Sequence, residues 1–307
     1  MAEKVTGLEI EPSMKVMDLV KSMENCGLQA TQVGRAAKII SKMKGKGTVR
    51  ILTFTTNLVT SGMRELFAKL CREKKVDVII TSIGSVEEDV MKCSSSFELC
   101  SFDEDDVKLH KAGKNRVGNM IIANKNYERL EKTLMSFFEK EYSKQVKLGR
   151  LLAPNEIISD LGLELNDKDS FVYWAARNKI PVFCPAPTDG AFGLQMYFFK
   201  QRRPEFGIDV TGDLRPLGRI ILDADKTAGI ILGGGVAKHH AIGANLLRDG
   251  FDMAIYICTG TPYDGSLSGA RVNEAKSWGK IKENADTVHV EADASIVFPM
   301  LATILLE

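Results

Sequence analysis

GIILGGGVAKHHAIGAN, residues Gly229–Asn245, decides the fold. An apolar, β-branched run leads into three consecutive glycines and then into a helical pattern, the signature of a strand, a tight loop and a helix. The same order occurs earlier, where TVRILTFT (Thr48–Thr55) is followed by GMRELFAKLCREKK (Gly62–Lys75). Further strands are predicted at Val76–Ile83, Asn119–Ala123, Ile180–Cys184, Phe251–Cys258 and Thr287–Glu291, with helices such as Glu128–Val146 and Ala237–Arg248 between them. This alternation predicts an α/β fold, a parallel sheet with helices on both faces.

Residues 1–47 read differently. Two amphipathic stretches, Ser13–Asn25 and Ala30–Met43, end in the Lys/Gly-rich link KMKGKG and form an N-terminal helical extension, leaving 48–307 as the α/β domain. Asp103–Arg116 and Arg202–Arg215 read as polar, loop-rich regions.

The 307 residues carry 41 Lys and Arg against 40 Asp and Glu, so no overall field favours nucleic acid or an anionic membrane. The six cysteines form no CxxC pair and have no histidine at ligand spacing, so no metal site is expected. MAEKVTGLEIEPSMK has no apolar signal region, and no apolar run reaches membrane-spanning length. The expectation is a cytoplasmic chain with reduced thiols.

Ligands of open α/β sheets bind beyond the carboxyl ends of the strands, where loops enter helices. Gly233-Gly234-Gly235 leaves the backbone bare for a pyrophosphate, or serves a tight turn that needs positive φ. Thr55–Gly62 and Thr81–Asp89 offer hydroxyls and glycines for phosphate and ribose, or they are helix caps with Glu87, Glu88 and Asp89 in a first turn. Asp189 in PAPTDGAFG and Asp264 in TGTPYDGSLSG stand on turns after strands, positions that suit ribose hydroxyls or a substrate cation. His239 and His240 open a helix, where its field favours a neutral imidazole, fit for acid/base work or for no role at all. In EAKSWGKI (Glu274–Ile281), Trp278 precedes Lys280 by two residues. A lysine nucleophile must be neutral, and at an ordinary pKa only about one in 2,500 is neutral at pH 7, so burial beside an indole would help. By local sequence Lys280 also reads as a surface lysine.

Taken together and in order, TTNLVTSGMRE (Thr55–Glu65), VDVIITSIGSVEED (Val76–Asp89), NRVGNMIIANKNYERLE (Asn115–Glu131), VYWAARNKIPVFCPAPTDG (Val172–Gly190), IILGGGVAKHH (Ile230–His240) and DGSLSGARVNEAKSWGKI through ADASIVFP (Asp264–Pro299) resemble the deoxyhypusine synthase family. The resemblance implies a Rossmann-like fold assembled as a homotetramer. It also implies a reaction in which NAD oxidises spermidine and a butylimine passes through an enzyme lysine to a lysine of the translation factor 5A precursor. Carried over by motif, Lys280 is the nucleophile and His239 the acid/base group, while Trp278 and Glu274 hold the amine, with Glu87, Leu194, Gly265, Ser266 and Leu267 at substrate positions. NAD contacts fall on Thr56, Asn57, Leu58, Val59, Thr60, Ser82, Ile83, Gly84, Glu88, Asp189, Gly234, Thr259, Gly260, Asp264, Asp293 and Ala294.

Two departures bear on the donor. The family's TDGSxGD turn is TDGAFGL here, placing Leu194 where an aspartate binds an amine, and Leu267 replaces the second carboxylate of the DGSDSG stretch seen in eukaryotic members. A polyamine is held by ion pairs at its ends, so these changes point also to a related NAD-dependent aminoalkyl transferase using another amine, such as agmatine or putrescine. A non-enzymatic paralogue is the third reading, and it would require a broken nucleophile, whereas Lys280 is intact.

Overall fold

The structure, a computed structural model, describes residues 4–307; the first three residues of the N-terminal extension lie outside the described residues. Its strands are β1 (Thr48–Phe54), β2 (Val78–Thr81), β3 (Glu98–Leu99), β4 (Lys114–Val117), β5 (Met120–Ala123), β6 (Val182–Phe183), β7 (Lys226–Leu232), β8 (Phe251–Cys258) and β9 (Ile281–Glu291). Six of them form a sheet in the order β6-β2-β1-β7-β8-β9. In it β1 runs parallel to β7, β7 to β8 and β8 to β9. Thr227–Leu232 of β7 and Met253–Cys258 of β8 are buried without interruption. Successive strand side chains point to opposite faces, so unbroken burial means that both faces are covered. The expected α/β architecture, a parallel sheet flanked by helices, is what the chain adopts.

The chain divides into two compact units. The first holds the chain up to Phe54, Glu73–Ile80 and Pro216–Glu307. Within it the helix Leu28–Met43 packs on β8, β9 and the C-terminal helix Ala294–Leu306, while the helix Gly235–Ala244 lies along β1 and β7. The buried stripe of Leu28–Met43, Val33, Ala36, Ala37, Ile40 and Met43, follows the helical period that its sequence shows.

The second unit holds Thr55–Arg72 and Thr81–Arg215. Its core is aromatic, with Phe138 edge-on to Phe192 at 5.2 Å and Phe199 edge-on to Phe206 at 4.9 Å. It also contains a buried charge network. The guanidinium of Arg64 donates to Asp89 at 2.6 Å and to Asp167 at 2.6 Å, and the other Asp89 oxygen accepts from the Ser170 hydroxyl at 2.6 Å and the Val172 N–H at 3.1 Å. A charge taken out of water persists only when its hydrogen-bonding capacity is filled in this way.

Three sequence expectations change. Asn119–Ala123 does not join the parallel sheet: Gly118, at φ +61°, turns the chain so that β5 pairs antiparallel with β4, and β3 pairs antiparallel with β5. Two strands joined by so short a turn have no room for a parallel crossover. The polar stretch Asp103–Arg116 is not merely loop. Asp105 caps the helix Asp106–Lys111 by accepting from Val107 and Lys108 N–H groups, and β4 follows. Glu87, Glu88 and Asp89 do not occupy a first turn; the helix starts at Ile83, and all three lie buried in its second turn. Among the described residues, no helix is long and apolar enough to cross a membrane.

Candidate active site

In the first unit, β7 and β8 end side by side at Leu232 and Cys258, and the chain leaves each through a glycine-rich loop. Gly233 at φ +78° and Gly235 at φ +65° occupy the left-handed region, which side chains disfavour. Gly234 has another reason: a Cβ there would lie 2.5 Å from the Ser268 Cα, so only glycine lets the two loops touch. The Gly235 N–H then donates to the Ser268 hydroxyl at 3.1 Å. The turn reading of the triple glycine and a close approach of backbone are thus both real, although the approaching group is the neighbouring loop.

Beyond these loops lies a cavity of about 270 Å³. The helix Gly235–Ala244 contributes Lys238 and His239, and the segment after β8 contributes Gly265, Leu267, Arg271 and Glu274. Trp278 and Lys280 come from the turn into β9. That turn is sharply defined. The helix Val272–Ser277 ends, Gly279 at φ +67° reverses the chain, and the Lys280 N–H returns to the Ala275 carbonyl at 3.0 Å. The Lys280 carbonyl accepts from the Phe251 N–H at 3.2 Å, anchoring the nucleophile candidate to β8. Its half-buried ammonium lies 5.2 Å from the Trp278 ring centroid. Trp278 is 66% exposed, so the expectation that the indole buries Lys280 gives way to a cation stacked at an open ring.

The charged group hidden at this cavity is a different lysine. Lys238 is 1% exposed, and its Nζ donates to the carbonyls of Ala270 at 2.7 Å and Ser268 at 3.3 Å, 4.5 Å from the Tyr256 ring centroid. Burial pulls its pKa from 10.5 down to about 8. Beside it, Cys258 Sγ lies 3.8 Å from His289 Nε2, and burial, then the charge of Lys238, hold that imidazole below its ordinary pKa. The sequence reading passed over Lys238, Tyr256 and Arg271. The helical period carried a signal for Lys238, because it falls on one stripe with the buried Ala241 and Ile242.

Lys280, Trp278, Glu274, His239, Gly265 and Leu267 therefore meet at one cavity. His239 is exposed there, while His240 turns inward with its Nε2 unpartnered and its pKa lowered by burial and then by His239. The remaining candidates of this unit stand on neighbouring loops, outside the cavity lining. Asp264 accepts the Ser266 N–H at 2.8 Å, Gly260 packs on Gly269, Thr259 is exposed, and Asp293 caps the last helix through the Ser295 N–H, with Ala294 buried behind it.

The other candidates belong to the second unit, on its helices and the loops that lead into them. Thr56 and Ser82 share a hydroxyl hydrogen bond of 2.8 Å, and Gly84 is glycine because a side chain would strike Thr56. Thr60 donates to Glu88, whose carboxyl is pushed up by burial to about 7 against that bond's opposing pull. Glu87, also raised by burial, accepts the Phe192 N–H at 2.7 Å. Leu58, Val59 and Ile83 are buried, and the Val59 carbonyl accepts from Lys92 Nζ at 2.7 Å, whereas Asn57 and Asp189 are exposed and Leu194 is 52% exposed on the helix Ala191–Lys200. Among the described residues, no group of three or more His, Cys, Asp or Glu side chains is placed to hold a metal ion.

Comparison with known proteins identifies the family of the chain. A family model described as deoxyhypusine synthase matches residues 18–305. A Pyrococcus abyssi protein named "Probable deoxyhypusine synthase" is 42% identical, the match covering 100% of this chain and 97% of that protein. The deoxyhypusine synthase of Nicotiana tabacum is 38% identical, over 98% of this chain and 88% of its own. Among solved structures, "a putative deoxyhypusine synthase from Entamoeba histolytica" superposes with a TM-score of 0.71 at 29% identity, covering 98% of this chain and 96% of that one. With a family model spanning nearly its whole length and full-length relatives at about 40% identity, the chain belongs to the deoxyhypusine synthase family of transferases.

Proposed function

We propose that this protein is an NAD-dependent transferase that moves the butylamine group of spermidine, through an imine on Lys280, to a lysine of the translation factor 5A precursor, in the cytoplasm and as a homotetramer. The observation that carries the reading is the meeting of Lys280, Trp278, Glu274 and His239 around one cavity in a chain of this family.

The loops after the strands fit a dinucleotide. A Cβ at Gly235 or Gly265 would have nothing within 4 Å, so the space beside these two glycines is open to a ligand. In the same unit the exposed Asp264 and Asp293 carry carboxylates suited to ribose hydroxyls; in the second unit, taken by itself, Thr56 and Ser82 carry hydroxyls and Asp189 an exposed carboxylate. When bound, NAD supplies the acceptor of a hydride from the amine and later its return. Lys280 Nζ, as the free amine, adds to the imine carbon of the oxidised donor, and diaminopropane leaves with the displaced nitrogen. His239, exposed at the cavity, takes the proton that Nζ loses and returns one to the leaving nitrogen. Trp278 flanks the alkyl chain, and Glu274 holds an ammonium end. The acceptor lysine then displaces Lys280, regenerating it. Exposed Tyr197 and Phe198, on one helix with Leu194, support self-association.

A second reading keeps this chemistry with another donor, such as agmatine or putrescine, and Leu267 in the cavity wall favours it. The test is incubation of the purified protein with NAD and a panel of amines, with and without the translation factor, followed by mass spectrometry of both proteins. A spermidine-dependent butylamine adduct on the factor supports the first reading, and an adduct with another amine alone supports the second. Absence of any adduct refutes both.

A further inference from the structure

The five-residue helix Thr56–Thr60, assigned to the cofactor by the proposed function, is too short to persist by its own hydrogen bonds. A helix leaves its last carbonyls without partners from its own turns, and here the chain departs in an extended conformation at Ser61. One side chain from the neighbouring helix meets that end. Lys92, the last residue of Ile83–Lys92, donates from Nζ to the carbonyls of Val59 at 2.7 Å, Thr60 at 2.8 Å and Ser61 at 2.8 Å. These three bonds use all three of its protons.

Lys92 completes a stripe. Gly84, Glu88 and Lys92 follow one another at intervals of four residues, which puts them on one face of their helix. A Cβ at Gly84 would lie 2.4 Å from the Thr56 hydroxyl oxygen, Glu88 accepts from the Thr60 hydroxyl, and Lys92 gathers the carbonyls beyond it. Start, middle and end of the short helix are thus each held by one residue of the stripe, all within the second unit.

We infer that Lys92 is a positioning residue for cofactor binding: it fixes the segment Thr56–Thr60, and with it the half-buried Thr56 and the exposed Asn57, in the arrangement that receives the dinucleotide. The inference rests on the assignment of that segment to NAD. Without Lys92 three consecutive carbonyls lose their donor at once, and a segment with unpaired groups is free to settle elsewhere. An arginine would keep the charge, but its planar fork does not bring three donors to one point.

Lys92→Met removes the donors at nearly constant length. Hydrogen exchange on the full chain without cofactor should show the amides of residues 58–63 exchanging about tenfold faster or more, with those of β7 and β8 unchanged. Calorimetry should show NAD binding about tenfold weaker, because the segment must be ordered at the moment of binding. Lys92→Arg should lose about threefold, and it carries the test if Lys92→Met does not fold. Phe206→Leu, in the aromatic core of the same unit, is the structural control and should leave NAD affinity within about twofold of wild type. Wild-type NAD affinity in the Lys92 variants overturns the inference, as does an equal loss in Phe206→Leu. Faster exchange throughout the unit, rather than at 58–63, makes Lys92 a general stabiliser and overturns it too. A wild-type chain that binds no NAD refutes the cofactor assignment itself, and the inference falls with it.

Discussion

The Nζ of Lys238 donates to the carbonyl oxygen of Ala270 at 2.7 Å, fastening the helix that carries His239 to the segment that carries Leu267 and Glu274. A buried ammonium thus braces two walls of the cavity without being its nucleophile.

Burial lowers the Lys238 pKa from 10.5 to about 8, so the folded chain gives up this proton before the unfolded chain does. The charge-burial penalty is fully present below pH 8 and is relieved as pH rises from about 8 to 10.5. Wild-type stability should therefore climb relative to Lys238→Met across that window, by about 3 kcal/mol in all, and run parallel to it below pH 8. Urea unfolding of both proteins from pH 6 to 10.5 checks this, and parallel curves throughout would count against a buried charge.

Glu88 has the opposite sign. Its folded pKa is raised from 4.5 to about 7, so the folded state holds a proton that the unfolded state has lost, and stability falls as pH rises from 4.5 to 7. Glu88→Gln should flatten that fall and be the more stable protein above pH 7. Thr60→Val, which removes the bond favouring the carboxylate, should leave the start of the fall near pH 4.5 and extend its end to higher pH. Thermal melts between pH 4.5 and 8 distinguish the three proteins.

Gly234 and Gly235 of the β7 loop should fail differently. Gly234→Ala places a methyl group against Ser268 and should cost about 1–3 kcal/mol, loosening the junction of the loops. Gly235→Ala meets no atom and should cost about 1 kcal/mol from its positive φ alone. Denaturant midpoints rank them, and equal losses would show that the loops do not bear on each other.

Lys280→Arg keeps a cation beside Trp278 and should leave the melting temperature within a few degrees of wild type. Transfer should fall by more than about a thousandfold, as for the loss of a covalent nucleophile. Trp278→Ala, at a mostly exposed ring, should change stability by less than about 0.5 kcal/mol while weakening amine binding. Adduct mass and amine titration read out the two effects, and adduct formation by Lys280→Arg would remove Lys280 from its role.

The apolar, β-branched runs of β7 and β8 were legible because a strand buried on both faces needs an unbroken hydrophobic run, and the glycines after β7 marked a turn on chemical grounds alone. Met120–Ala123 offered the same kind of run, yet its partner depended on where Gly118 turned the chain, and periodicity carries no information about a partner. Lys280 was one lysine among many until the order of motifs identified it, and its meeting with Glu274 and His239 at one cavity required the turn at Gly279.

Local chemistry by itself determined the element types, the loops that bear ligand-binding groups and the family to which those loops correspond. Tertiary structure alone decided that Lys238 is buried while Trp278 is open, that Glu274 is the carboxylate at the cavity among the described residues, and that Gly234 serves contact with Ser268. The reason is physical: strand and turn preferences arise from each residue's own backbone and its near neighbours, whereas desolvation and ion pairing depend on groups that only folding brings together.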